Sequence, residues 1–325
     1  NENEKDIAPE NWTPGSWVHS NVRTSTARDM ELIGDYWCAT WPATNGSLLY
    51  YFYLGYKGDA YVGMENTRDF CEAAIAANNQ RWDPQNEPAI ASWETQDTFA
   101  ANQRRSLIYV PRAEDIDMLD LSLQDPYATE EKGSVTFCQI PGTINGDPAH
   151  INCSVYLPYG FDLRRTEAYP LYVLYHGANG DYTQWVAHGA ADHIMNNAIA
   201  QGIIEPTVVV MPDGMDSGWD LDFVVNAILP YMQQNYNCST NFEQLAISGL
   251  SAGGALTGNM LINHPTAFKY YGGFSMFGRT NNRGIFYIDL DDPALSSVKL
   301  YASYGDNDYT GERCQTSIDK LSTRS

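Results

Sequence analysis

The sequence predicts an α/β protein in which a doubly wound, mostly parallel sheet is preceded by an all-β sandwich domain. From about residue 133 onward, apolar runs alternate with amphipathic helical stretches. Before residue 110 the apolar stretches are short and aromatic, and Gly, Asn and Pro separate them. The 325 residues suffice for two domains. We therefore predict a β-sandwich over 1–110, a linker over 111–132 and an α/β domain over 133–325.

The first domain and the linker are predicted from composition. Stretches such as 48–54 and 106–110 are typical of strands joined by long loops, and one short helical insert is expected within 69–79. The segment 111–132 is rich in acidic side chains, which favours a connecting segment over a core element.

The second domain shows the strand and helix alternation of a parallel sheet. A continuous apolar run such as 169–175 is typical of a parallel strand that is covered on both faces. The predicted strands are 169–175, 207–211, 244–248 and 298–304, and the predicted helices are 191–200, 219–236 and 252–263. Catalytic groups in such sheets lie at the carboxyl ends of strands. A site is therefore expected in the loops that begin at His176, Gly249 and Gly305.

A Gly-x-Ser-x-Gly sequence, from Gly249 to Gly253, lies directly between a predicted strand and a predicted helix. A sharp turn there holds the hydroxyl of Ser251 clear of the sheet, and the flanking glycines avoid clashes across the turn. Ser251 is the predicted nucleophile, and the N–H of Ala252, at the helix start, is predicted to donate to an oxyanion. This is the pattern of the α/β-hydrolases. The alternative is a structural, glycine-rich turn.

A His-Gly turn follows the strand 169–175. It can direct a second backbone N–H, that of Ala178, into the same oxyanion hole. His176 is then structural and holds the loop through hydrogen bonds. The alternative is that His176 acts as the general base, but its place before Ser251 in the chain argues against this role.

An acidic loop follows the strand 298–304, where the Ser…Asp…His order of α/β-hydrolases places the orienting acid. Asp308 is the predicted acid, and Asp306 is the second choice. The alternative is an ordinary turn, because Gly, Asp and Asn are common in turns.

A catalytic triad also needs a histidine after the acid, and none of the six histidines lies there. Only His264 follows Ser251, and it ends the helix that starts at the serine. Without an imidazole the serine hydroxyl is not activated at neutral pH. We expect the sequence to be cut short and the catalytic histidine to lie beyond Ser325.

Composition excludes several classes of function. The formal net charge is −21 without any cluster of Lys or Arg, which argues against a nucleic-acid partner. No apolar run is long enough to span a bilayer, so no membrane association is expected. Cysteines and histidines do not occur at metal-ligand spacing. Neither a metal nor another cofactor is predicted.

Two of the six cysteines are candidates for a disulfide. Cys138 and Cys153 flank an Asn145-Gly146 turn in a predicted hairpin. Six cysteines allow about 15 pairings, and free buried thiols are the alternative.

Residues 133–325 resemble the feruloyl and acetylxylan esterases related to esterase D. The resemblance rests on five motifs in order, VYLPYGFD, LYVLYHGANGDYTQW, TVVVMPDG, AISGLSAGG and KLYASYGDND. It implies that Ser251 is the nucleophile, that Asp308 is the acid, and that Ala252 and the residue after His176-Gly177 supply the oxyanion amides. The family histidine lies in a Gly-Gly-His loop past the last residue of this sequence.

The first domain resembles the glycogen-binding-like β-sandwich modules that precede some of these esterases. The likeness rests on the stretches 35–42, 49–53 and 82–86. Trp37 and Trp41 could form a sugar platform, but their alternate strand positions favour burial in a core.

The predicted function is therefore a secreted serine esterase that removes feruloyl groups from plant xylan by two-step acyl transfer. Trp185 and Trp219 follow catalytic strands and are predicted to contact the substrate. Acetyl esters are the second choice of substrate. A siderophore esterase is an alternative, which the shortage of basic residues disfavours. A carbohydrate-binding protein with a degenerate esterase domain is the alternative from another class.

Overall fold

The computed structural model describes residues 30–40, 47–51, 53–54, 80–81, 106–110, 122–124, 129–178, 180–187, 189–275, 277, 295–305, 308 and 314–315. The chain divides into two compact units, Asn1–Asp120 and Leu121–Ser325. The finer division into a sandwich, a linker and an α/β domain stays a prediction.

The described part of the first unit consists of three antiparallel strand pairs. These are β1 (Glu31–Ile33) with β2 (Tyr36–Cys38), β3 (Ser47–Tyr51) with β6 (Ser106–Val110), and β4 (Tyr53–Leu54) with β5 (Gln80–Arg81). Gly34 permits the tight turn between β1 and β2 because its φ is 64°. The sandwich and its sugar-binding role stay predictions. The helical insert expected within 69–79 and Trp41 lie outside the described residues.

A seven-stranded sheet forms the centre of the second unit. Its strands are β7 (Ser134–Ile144), β8 (Asp147–Leu157), β9 (Leu171–Tyr175), β10 (Val208–Pro212), β11 (Leu245–Leu250), β12 (Tyr270–Phe274) and β13 (Lys299–Ser303). Their order is β13-β12-β11-β9-β10-β8-β7. The strands β9 to β13 are parallel, and β8 pairs antiparallel with both β10 and β7. This mostly parallel sheet confirms the predicted α/β-hydrolase fold. The sequence interpretation missed one central strand, β12.

The antiparallel edge is a long hairpin whose turn was predicted. Asn145 has a φ of 53° and Gly146 a φ of 88°, as a type I′ turn requires at both central positions. The turn sets the register so that Cys138 lies directly opposite Cys153. Both thiols are free in the structure. The two cysteines are therefore neighbours as expected, while the bond between them stays a prediction.

Helices connect the parallel strands. They are α1 (Gln184–Ala187), α2 (Ala191–Ala200), α3 (Leu221–Phe223), α4 (Leu229–Tyr236) and α5 (Ala252–Asn263). A π-helical turn, Val224–Ile228, joins α3 to α4, and in it the N–H of Leu229 donates to the carbonyl of Val224. Pro230 follows immediately. Because proline lacks an N–H and disrupts a regular α-helical turn, the wider turn accommodates it without ending the helix.

Helices cover both faces of the sheet. Val155 and Tyr156 are adjacent in β8, so their side chains point to opposite faces. Val155 belongs to the main hydrophobic core, together with Ile228 and Leu256 of the later helices. The hydroxyl of Tyr156 donates to Oδ1 of Asn196 in α2 at 2.8 Å. The sheet is therefore doubly wound, as predicted.

This winding creates a crevice between two neighbouring strands. The strands β9 and β11 are hydrogen-bonded neighbours in the sheet. After β9 the chain continues to α2 on one face of the sheet, whereas after β11 it continues to α5 on the opposite face. Ligands of open α/β sheets bind at the carboxyl ends of strands at such a switch point. The loops after β9 and β11 are those that contain Ala178 and Ser251.

Candidate active site

Ser251 lies at the turn between β11 and α5 in a strained backbone conformation. Its φ is 51° and its ψ is −108°. Its N–H donates to the carbonyl of Phe274 at 2.8 Å, and its carbonyl accepts from the N–H of Ala255 at 2.8 Å. A serine at a helix N-cap ordinarily has extended dihedrals, and its hydroxyl accepts a hydrogen bond from a backbone N–H of the first turn. The side chain of Ser251 makes no such capping hydrogen bond. Because capping does not engage the hydroxyl, the strain of about 1–3 kcal/mol is evidence of a functional position.

The glycines on either side of Ser251 are required by close backbone contacts. A Cβ on Gly249 would lie 2.5 Å from the carbonyl oxygen of Gly253, and one on Gly253 would lie 2.6 Å from the carbonyl oxygen of His176. Any side chain at either position would therefore push the start of α5 away from β11 and β9.

Ala252 is the first residue of α5, and it is half-buried. The first N–H groups of a helix have no acceptor within the helix, and the N-terminus carries a partial positive charge. The N–H of Ala252 thus lies beside the Ser251 hydroxyl in a position suited to an anionic oxygen.

His176 holds the neighbouring loop through both of its ring nitrogens. Its imidazole is buried, with Nδ1 2.6 Å from the carbonyl oxygen of Gly177, while Nε2 lies 2.9 Å from the backbone N of Gly214. A carbonyl oxygen only accepts and an N–H only donates, so the proton is on Nδ1 and Nε2 is bare. The 3.5 Å between Nε2 and Asp213 Oδ1 is then not a hydrogen bond. This arrangement favours the structural role of His176 over that of general base.

Ala178 follows His176 and Gly177 in this loop, and its N–H is the predicted second oxyanion donor. The preceding N–H, that of Gly177, donates to Oε1 of Gln184 at 3.3 Å. A Cβ on Gly177 would be 3.6 Å from Leu250, the residue before Ser251. The loop therefore contacts the strand end from which Ser251 emerges, and its exposed residue is Ala178.

The loop after β10 packs against His176. Burial acts to raise the pKa of Asp213, but the nearby His176 side chain, 3.5 Å away, and the hydrogen bonds from the backbone N–H groups of Asp216 and Met215 lower that pKa below its ordinary value. Trp219 packs its ring at 5.2 Å from the imidazole of His176. A Cβ on Gly214 would clash with this indole. Trp219 is half-buried here, and its contact with substrate stays a prediction.

Asp308 follows β13 at the same edge of the sheet. Leu250 is in register with Phe274, and Phe274 with Ser303, so the three strands end at one level. The N–H of half-buried Asp308 donates to the carbonyl of Gly305 at 2.9 Å. The negative charge of Asp308 also adds to burial in raising the pKa of the Cys314 thiol. Asp306 lies outside the described residues.

Trp185, in α1, lies close to the end of β12. Its ring centroid is 6.0 Å from that of Phe274, the residue whose carbonyl accepts from Ser251. The indole Nε1 is buried without a hydrogen-bond partner among the described residues. Phe274 was not singled out from the sequence because β12, which carries it, was missed.

Two other described histidines, His193 and His264, lie away from the serine. Nδ1 of His193 contacts the carbonyl of Gln124 at 3.0 Å. His264 follows the 12-residue helix α5, which places it about 18 Å along the axis from Ser251. The catalytic histidine expected beyond Ser325 lies outside the described residues. Among those residues, no group of three or more His, Cys, Asp or Glu side chains could hold a metal ion.

Comparison with known proteins places the chain in a family. The model of the Esterase family matches residues 148–323, a stretch that contains Ser251, Asp308 and both predicted oxyanion residues. The chain belongs to this esterase family. The chain is 31% identical to a Xylanibacter ruminicola protein named endo-1,4-beta-xylanase/feruloyl esterase. This match extends over 134 residues, or 37% of the chain. The match spans 18% of that relative's length.

Solved structures with the same fold include two feruloyl esterases. The feruloyl esterase module of Clostridium thermocellum, solved with sinapinate, superposes with a TM-score of 0.52 at 19% identity, over 63% of this chain and 77% of the other. The ferulic acid esterase of Anaeromyces mucronatus, solved with ferulic acid, gives a TM-score of 0.54 at 16% identity, over 62% and 84%. The comparisons confirm the resemblance to feruloyl esterases. The resemblance of the first domain to a glycogen-binding-like module stays a prediction.

Proposed function

We propose that this protein is a serine carboxylic-ester hydrolase in which Ser251 is the nucleophile. The observation that carries the proposal is the backbone of Ser251, which has a positive φ although its hydroxyl caps no helix. Such a conformation costs free energy, and no capping hydrogen bond of the hydroxyl offsets this cost. It does present the hydroxyl at the switch point of the sheet, beside the N-terminus of α5.

In the first step, Oγ of Ser251 attacks the ester carbonyl carbon. The Oγ–C bond forms, and the hydroxyl proton passes through an imidazole to the leaving alcohol as the C–O bond breaks. The N–H groups of Ala252 and Ala178 donate to the oxygen that becomes negative. In other enzymes of this type, removal of one such donor lowers kcat about 10²- to 10³-fold.

In the second step, water attacks the acyl-enzyme and releases the acid, which regenerates Ser251. The sum of both steps is ester plus water to acid plus alcohol, so water is the only co-substrate. Asp308 orients the imidazole. We expect that imidazole to come from the histidine that the family resemblance places after residue 325.

The proposed substrates are feruloyl or acetyl esters on plant xylan, and the proposed location is outside the cell, where such a polymer is met. The name of the Xylanibacter ruminicola relative supports this choice. The net charge of −21 argues against a polyanionic partner such as nucleic acid. In the part of the chain that the structure describes, no helix has the length and apolar character needed to cross a membrane.

The test compares wild type and Ser251→Ala in the full-length gene product. We expect wild type to release ferulate from feruloylated xylan and to cleave p-nitrophenyl acetate, and Ser251→Ala to lose both activities while it unfolds at an unchanged urea concentration. Ser297→Ala is the matched control, because Ser297 is exposed just before β13, at the opposite edge of the sheet. Binding of xylan by wild type without any turnover would contradict the proposal.

A further inference from the structure

Two cysteines face each other in the antiparallel hairpin at the edge of the sheet. Cys138 of β7 lies directly opposite Cys153 of β8, so the two side chains point to the same face of the sheet. Opposed residues of an antiparallel pair have Cα atoms about 4.5–5.5 Å apart. A disulfide bond joins residues whose Cα atoms are about 4.4–6.8 Å apart. The hairpin therefore holds this thiol pair within bonding range, and no backbone movement is needed to join it.

Among the described residues, no other cysteine lies opposite a cysteine in the strand pairing. Cys38 is in register with Glu31, and Cys238 forms a bridge with Tyr169. Burial raises the pKa of the Cys238 thiol to about 12, so this thiol keeps its proton at neutral pH. A buried thiol of that kind is inert. The strand pairing thus distinguishes the thiol pair from the other cysteines that the structure describes.

The two thiols of the pair differ in their access to solvent. The strand β7 is the outer strand of the described sheet, and Cys138 on it is half-buried. Cys153 lies one strand further in, where it is in register with Pro212 of β10 on its other side, and it is fully buried. A dissolved reagent therefore reaches Cys138 first and reaches Cys153 only through Cys138.

The surroundings of the two thiols favour a thiolate at Cys138. A hydrogen bond from the Cys153 thiol lowers the pKa of Cys138 and outweighs the opposite effect of burial, and a hydrogen bond from Tyr236 lowers it further. Burial raises the pKa of Cys153 well above its ordinary value, and the charges of Asp213 and Asp216 add to that effect. Because the thiolate is the nucleophilic form of cysteine, Cys138 is the reactive member of the pair.

We propose that Cys138 and Cys153 form a thiol–disulfide exchange site for small disulfides, with Cys138 as the attacking thiol and Cys153 as the resolving thiol. This inference goes beyond the proposed esterase function and does not depend on it. The opposed register places the resolving sulfur next to the attacking one, and the half-buried position of Cys138 admits the small molecule.

In the first step, Sγ of Cys138 attacks one sulfur of the small disulfide. A mixed disulfide forms while the bond within the small disulfide breaks, and one small thiol leaves with the proton that Cys138 has lost. In the second step, Sγ of Cys153 attacks Sγ of Cys138, and the second small thiol leaves with the proton of Cys153. The sum is two protein thiols plus one small disulfide to one protein disulfide plus two small thiols. The protein pair is oxidised, and the small disulfide is reduced.

The experiment treats the full-length gene product, first reduced with dithiothreitol and then freed of it, with bis(2-hydroxyethyl) disulfide. This probe is uncharged, since the net charge of −21 repels anionic disulfides. Peptide mass spectrometry without reduction is expected to find Cys138 joined to Cys153 in wild type. Oxidised wild type is also expected to unfold at a higher urea concentration than reduced wild type, because the bond closes a loop in the unfolded chain. In Cys153→Ala the mixed disulfide should remain on Cys138, whereas in Cys138→Ala the thiol of Cys153 should stay unmodified.

Cys238→Ala is the matched control, because Cys238 is also a buried thiol but bridges Tyr169 instead of a cysteine. It is expected to form the disulfide at the wild-type rate. A mixed disulfide that persists on Cys138 of wild type, or a wild type in which both thiols of the pair stay free, would overturn the exchange site. Modification of Cys153 in folded Cys138→Ala would overturn the assigned order of attack. The wild-type measurement needs no substitution, so it decides the matter even if a variant fails to fold.

Discussion

Gly253 packs against the backbone of His176 so closely that a Cβ on Gly253 would lie 2.6 Å from the His176 carbonyl oxygen. This contact joins the start of α5, which presents Ser251, to the loop that presents Ala178. The two predicted oxyanion donors are therefore held at a fixed spacing by one backbone contact. Preorganised donors need no rearrangement during reaction, which is the basis of oxyanion stabilisation.

We expect Gly253→Ala to destabilise the fold although alanine is the better helix former. Helix propensity favours alanine by about 1 kcal/mol, but forcing a methyl group into this contact costs about 1–3 kcal/mol. Because the second term is the larger, we expect urea titrations of Gly253→Ala to show a net loss of unfolding free energy. We also expect a reduced kcat/KM. Gly177→Ala is the control for stability, because its Cβ would meet Leu250 at 3.6 Å, an ordinary contact. A more stable Gly253→Ala would refute this account.

His176→Ala is expected to reduce activity without abolishing it. The replacement leaves the buried N–H of Gly214 without its acceptor, which costs about 1–3 kcal/mol of unfolding free energy. Because His176 is not the general base, its replacement should lower kcat without changing the pH at which kcat begins to rise. His193→Ala, which removes a contact to Gln124 elsewhere, is expected to leave kcat unaffected. A pH profile displaced by His176→Ala would identify the imidazole as the base.

Asp213→Asn is expected to destabilise the protein at neutral pH and not in acid. The pKa of Asp213 is lower in the folded state than its unfolded value of about 3.9. Its carboxylate therefore stabilises the fold above that unfolded value, and the stabilisation is lost as the pH falls through the lowered folded pKa. Urea titrations at pH 7 should show a deficit of about 1–2 kcal/mol that shrinks in acid. Exposed Asp147→Asn should show no deficit, and an equal deficit at both pH values for Asp213→Asn would contradict the mechanism.

Cys138 is expected to react with iodoacetamide at lower pH than Cys153. A hydrogen bond from the Cys153 thiol lowers the pKa of Cys138, whereas burial raises the pKa of Cys153. A lower pKa means more thiolate at a given pH, and the thiolate is the reactive form. Peptide mass spectrometry of the alkylated protein measures both rates. In Cys153→Ala the rate profile of Cys138 should move to higher pH, and an unmoved profile would rule out the thiol pair.

The turn chemistry of the chain was predictable because it depends on neighbouring residues. Asn145 and Gly146 adopt the positive φ values of a type I′ hairpin, as that dipeptide favours. Gly249, Ser251 and Gly253 specify a sharp strand-to-helix turn for the same local reason. The alternation of apolar runs and helices likewise predicted most of the parallel strands.

The strand β12 was missed because its own residues argue against it. Gly272 and Gly273 occupy its middle, and glycine weakens a strand when judged by propensity. Its neighbours β11 and β13 supply the hydrogen bonds that hold it extended, and these are contacts between distant parts of the chain. Tertiary pairing overrode the local preference.

By itself, then, the sequence determined the turn that exposes Ser251 and the alternation that builds a parallel sheet, since both arise from short-range sterics and periodicity. Only the tertiary structure decided that Phe274 lies beside Ser251 and that Gly214 takes the second nitrogen of His176. These contacts join residues more than 20 positions apart. Strand order and loop packing set them, and no local pattern encodes either.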